Sequence, residues 1–153
     1  MRINKLGEFG LIERIKNKLS QDASVVVGPG DDCAVLKLDR SHYQLFTADM
    51  LVEGVDFTRH TDLYLVGRKS LAVSISDIAA SGGVPKYALV SVGFPKTFSV
   101  EGVDRIVKGI DDLARDHKIS IVGGDISSAR YLTLNVSMLG VVEKNNLVLR
   151  STA

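Results

Sequence analysis

Residues 132–138 constrain the fold more than any other stretch, because Leu132, Leu134, Val136 and Met138 alternate with Thr133, Asn135 and Ser137. Successive side chains of a strand point to opposite faces, so a period of two marks a strand with one buried face. Such a strand needs neighbours in a sheet and an apolar cover on one side. Two stretches can supply the cover. Residues 62–80 have helical periodicity, with Asp62 placed to cap the start and Gly82-Gly83 to stop the end. After Ser99, a second candidate cap, Val103, Ile106, Val107, Ile110, Leu113 and Ala114 recur at helical spacing. A shorter helical pattern opens at Gly7-Glu8-Phe9, with Leu11, Ile12, Ile15 and Leu19 on one face.

Strand patterns are expected at residues 34–36, 43–46, 87–92, 119–122 and 147–149, with Val25-Val26-Val27 leading into a turn at Gly28-Pro29-Gly30. The expected order is αββαβαβββ, an α+β fold in which a mixed β-sheet carries helices on one face. At 153 residues the chain suits one domain, and no Pro/Gly/Ser-rich linker divides it. It stops three residues after Arg150, just beyond an expected strand, which suggests one half of a longer chain.

Charge and composition remove several classes of function. Nineteen basic against 18 acidic residues give a net charge of +1, which argues against a surface built to coat nucleic acid. No apolar run approaches a membrane span, and the N-terminus lacks an apolar signal core, so a cytoplasmic protein is expected. The lone Cys33 permits neither an internal disulfide nor a cysteine zinc cluster. His42, His60 and His117 are far apart, without ligand spacing. There is no G-x-x-x-x-G-K-[ST] loop, no third glycine after Gly28 and Gly30 to complete a dinucleotide fingerprint, and no H-R-D or D-F-G set.

The candidates for chemistry are aspartates. Asp32 follows a Gly-rich turn, Asp49 ends an expected strand, Asp77 lies in a helix, and Asp125 follows Gly123-Gly124. Carboxylates brought together repel unless a cation neutralises them, and hard oxygen donors suit Mg²⁺ shared with phosphates and water. Aspartates also occupy turns and caps because they bond local backbone. Spacing alone leaves both readings open.

Five ordered segments then carry a resemblance. They are Gly7-Glu8-Phe9 with Leu11-Ile12; Gly30-Asp31-Asp32-Cys33-Ala34-Val35-Leu36; Asp49-Met50-Leu51-Val52-Glu53-Gly54-Val55; Gly67-Arg68-Lys69-Ser70-Leu71-Ala72-Val73 continuing to Ser76-Asp77-Ile78-Ala79-Ala80; and Val122-Gly123-Gly124-Asp125. Together they resemble the N-terminal domain of thiamine-monophosphate kinases, in the superfamily that includes aminoimidazole ribonucleotide synthetase. The resemblance implies transfer of the γ-phosphoryl of ATP to thiamine monophosphate with Mg²⁺. By position it implies Asp32, Thr47, Asp49, Asp77 and Asp125 as metal ligands, and Gly124, Asp125 and Arg150 at the nucleotide. It implies no catalytic side chain beyond these, since phosphoryl transfer rests on positioning and charge neutralisation.

The whole chain, residues 1–153, would be the Mg-nucleotide-binding domain, with the family's C-terminal domain absent and the fragment inactive alone. The family also implies a homodimer in which sheets pair into a barrel-like body with nucleotide sites at the junction. Asp56 stands where the family usually has a substrate-contacting His, Ala48 replaces a hydroxyl residue, Ile126 follows the Gly-Gly-Asp, and Thr152 replaces a Gly. Asp56 is thus the candidate substrate-side residue. Alternative readings are a non-catalytic nucleotide- or metal-binding dimerisation domain, and another ATP-dependent enzyme of the superfamily.

Overall fold

The computed structural model describes residues 5–152. The alternating stretch forms one long strand in the body of a six-stranded sheet. The elements in chain order are α1 (Gly7–Lys16), β1 (Val25–Val27), β2 (Ala34–Lys37), β3 (His42–Val52), α2 (Leu63–Ala80), β4 (Val84–Phe94), α3 (Val100–Asp116), β5 (Ser120–Ser128) and β6 (Thr133–Glu143). A 3₁₀ turn, Lys144–Asn146, follows β6. The sheet order is β1-β2-β3-β6-β4-β5, antiparallel throughout except for the parallel β4–β5 pair. It is therefore mixed and open, with β1 and β5 at its edges.

Along β6, Leu134, Val136 and Met138 are fully buried beneath the helices, as period-two alternation requires. β3 repeats the pattern with Leu45, Thr47 and Leu51 buried and Phe46, Ala48 and Met50 exposed. Burying such rows against α2 and α3 supplies most of the drive to fold, at about 1.5–3 kcal/mol per large apolar side chain.

Both long helices start where the sequence indicates. The Asp62 carboxylate accepts from the Tyr64 N–H at 2.8 Å, and the Ser99 hydroxyl accepts from the Gly102 N–H at 3.0 Å. The two helices approach closely because each carries a glycine at the crossing. A methyl group on Gly67 would strike the Ile106 carbonyl, and one on Gly109 would strike the Tyr64 carbonyl. α1 buries none of its residues, leaving Phe9 76% exposed, so the covering layer consists of α2 and α3.

Three expectations change. Residues 147–149 do not form a strand. Leu147 and Leu149 instead pack on the core while the Val148 N–H donates to the Ser81 carbonyl beyond α2. Apolar alternation over three residues is met there by docking, because the adjacent sheet positions are already filled. Val25–Val27 is a strand, paired with β2. The strand expected at 119–122 does not stop at Gly123-Gly124: β5 continues through both to Ser128, and Gly124 presses so closely on Val90 that a Cβ would strike its carbonyl.

Candidate metal and nucleotide site

Alternation along β3 directs Thr47 and Asp49 to the helix-covered face, where α2 passes over them. Ser74 and Asp77 lie three residues apart on α2 and meet that pair, as neighbours on one helix face do. The Thr47 hydroxyl donates to Asp77 Oδ2 at 2.7 Å, and the Ser74 hydroxyl donates to Asp49 Oδ2 at 3.1 Å. Each carboxylate is thus pinned by a buried hydroxyl on the opposite element.

Electrostatics mark the cluster as short of positive charge. Burial pushes the Asp77 carboxyl above its ordinary value, and the charges of Asp49 and Asp32 add to the push, while the Thr47 hydrogen bond opposes it. Asp32 enters from the loop before β2 and carries the nearest cation: Arg150 Nε and Nη2 lie 2.8 and 2.5 Å from its Oδ1. Cys33, buried next to it, is pushed up to about 11 by burial and by the surrounding carboxylates, which favours the neutral thiol, while a hydrogen bond to Ser81 opposes the push.

Asp125 stands apart. Sheet register aligns Met50, Asn135, Ser91 and Asp125 in one row, and Asp49, Val136, Val90 and Gly124 in the next. The first row faces away from the helices and the second faces toward them, so Asp125 lies on the face opposite Asp49 and Asp77. Asp56 turns inward to its own loop. Its Oδ2 accepts from the Val52 N–H at 2.8 Å, its carbonyl accepts from Lys69 Nζ at 2.6 Å, and Gly54 takes the positive φ of 85° that the turn needs. One oxygen of the Asp56 carboxylate thus shapes the loop beyond β3.

Among the described residues, no three His, Cys, Asp or Glu side chains stand close enough to enclose a metal by themselves. The gathered donors still fit Mg²⁺ chemically. They are hard oxygens, their mutual repulsion asks for a cation, and Mg²⁺ usually takes one or two carboxylates and completes its shell with water and phosphate. The sequence reading missed Ser74. Its signal was available as a buried hydroxyl residue one helical turn before Asp77.

The fold is an α+β layer in which an acidic, hydroxyl-braced cluster sits where β3 meets α2. The model of the AIR synthase related protein, N-terminal domain, matches residues 30–142, and the chain belongs to that family. It is 37% identical over 150 residues to the thiamine-monophosphate kinase of Bacillus subtilis, covering 97% of this chain and 46% of that protein. It is 38% identical over 144 residues to that of Aquifex aeolicus, covering 94% of this chain and 45% of that protein. The solved structure of AaThiL complexed with AMPPCP and TMP superimposes with a TM-score of 0.88 at 37% identity, over 98% of this chain and 46% of that one. The chain thus spans about half the length of the curated relatives it matches.

Proposed function

We propose that this chain is the metal- and nucleotide-binding half of a kinase that transfers the γ-phosphoryl group of ATP to thiamine monophosphate, yielding thiamine diphosphate. The observation that carries this reading is the braced cluster of Asp49, Thr47 and Asp77, with Asp32 alongside, on a scaffold similar to AaThiL complexed with AMPPCP and TMP. Asp32, Thr47, Asp49 and Asp77 would hold Mg²⁺ from the helix-covered side, and Asp125 would meet the nucleotide from the edge strand β5. When bound, Mg²⁺ neutralises charge on the phosphates during transfer. The chain's own residues position the donor set: Ser74 and Thr47 fix carboxylate orientation, and the Asp56-capped loop shapes the substrate side. The attacking phosphate oxygen of thiamine monophosphate is already ionised, so no side chain here need act as a general base.

The helix-free face carries Phe46, Met50, Tyr87, Leu89 and Val122, an apolar surface that suits a second copy of the chain. We assign it to a homodimer, which puts Asp125 at the junction between copies. No helix among the described residues is long and apolar enough to cross a membrane, and the proposed substrates are those of a cytoplasmic enzyme. The test is a coupled assay with ATP and thiamine monophosphate on a protein carrying both halves. Thiamine diphosphate should form, and Asp77→Asn should abolish it. No product from the intact protein would overturn the assignment.

A further inference from the structure

Arg150 and Asp32 both have expected partners outside the protein, yet they hold each other. Arg150 Nε and Nη2 converge on the single oxygen Oδ1 of Asp32, and the Arg150 backbone N–H points to Asp31 Oδ1 at 3.4 Å. The two residues are anchored very differently. Asp32 precedes the buried Cys33 and Val35 and its side chain is only 22% exposed, so its backbone is tied to the core. Arg150 is 54% exposed and sits in a turn closed between Leu149 and Thr152, outside the sheet. Its side chain can swing away at little cost.

We propose that Arg150 is a resident counter-cation for Asp32 that a divalent cation displaces, and that the freed guanidinium then binds the phosphates of the nucleotide. This rests on the reading of Asp32 as a metal ligand. A guanidinium and a dication on one carboxylate repel at contact distance, so the two compete for Asp32. A displaced guanidinium is well suited to phosphate, which it meets with paired N–H donors. The exchange makes loading ordered: nucleotide alone must break the Asp32 pair to reach Arg150, whereas metal bound first has already released it. It also shields a cluster whose Asp77 is burdened by the charges of Asp32 and Asp49 when no metal is present.

Competition and contact predict opposite signs in one variant. In Arg150→Ala, Mn²⁺ alone, followed by electron paramagnetic resonance, should bind about two- to fivefold more tightly, the scale of an exposed ion pair. MgATP, followed by calorimetry, should bind more weakly, because the phosphate contact is gone. Arg150→Lys should fall between the two. Thermal melts of all variants check that each is folded, and the exposed position of Arg150 favours that. Asp32→Asn separates the layers of the argument. If it loses Mn²⁺ affinity while Arg150→Ala leaves it unchanged or lower, the exchange is wrong and the metal-ligand reading stands. If Asp32→Asn binds Mn²⁺ like the wild type, Asp32 is not a ligand and the exchange falls with it.

Discussion

Asp77 is a carboxylate kept where its charge is unwelcome, beneath β3 and beside two other carboxylates. Its folded pKa is raised, so its favourable contribution is complete below the ordinary value of 3.8 and is lost as pH rises through the folded value. At neutral pH the metal-free fold therefore carries a cost at this residue. Asp77→Asn, which can still accept from Thr47, should raise the melting temperature of the metal-free chain and flatten its decline above pH 3.8. The same change should remove the stabilisation that Mg²⁺ gives the wild type. Scanning calorimetry across pH with and without Mg²⁺ reads both effects, and a destabilised metal-free variant would contradict the account. Asp56 is the opposite case, a carboxylate that bonds its own backbone. Asp56→Ala should cost about 1 kcal/mol in urea denaturation, while Asp56→Asn, which keeps an acceptor for the Val52 N–H, should cost little. Equal losses would mean that the bond does not hold the loop.

At the scale of elements, the crossing of α2 and α3 depends on two glycines whose missing Cβ atoms let backbone meet backbone. Gly67→Ala should force the helices apart and cost about 1–3 kcal/mol, although alanine is the better helix former. A neutral or stabilising result would show that the helices yield freely. The elements were largely legible in the sequence where periodicity runs long. β6 and the helix caps at Asp62 and Ser99 follow from it, whereas β3 runs on past Asp49 to Val52, so Thr47 and Asp49 lie within the strand and not at its end. Short apolar runs were not legible. Val25–Val27 pairs and residues 147–149 dock, though both are apolar triplets, because pairing depends on which sheet edge is free. The site was legible as residue types and not as a gathering. Nothing local shows that Asp125 faces away from Asp49, since that follows from a β4–β5 register shifted by an irregularity near Leu89. Likewise, the Asp56 carboxylate could be assigned to its own loop only after the turn at Gly54 was seen.

At the scale of the molecule, one sheet face is covered by helices and the other is apolar and bare in the single chain. A second copy is the cover proposed above, so light scattering should give a dimer at micromolar concentration. Phe46→Glu, at an exposed position of that face, should give a folded monomer. A wild-type monomer would refute the pairing. The 153 residues span 46% of the Bacillus subtilis relative, and that span by itself should form no thiamine diphosphate. Binding is the more direct probe, because it needs only the residues present. The deciding measurement is titration calorimetry of MgATP into the wild-type chain and into Asp77→Asn and Asp125→Asn. The account predicts measurable binding by the wild type and a loss of at least about tenfold in each variant, with folding intact in both. Wild-type affinity in both variants would contradict it.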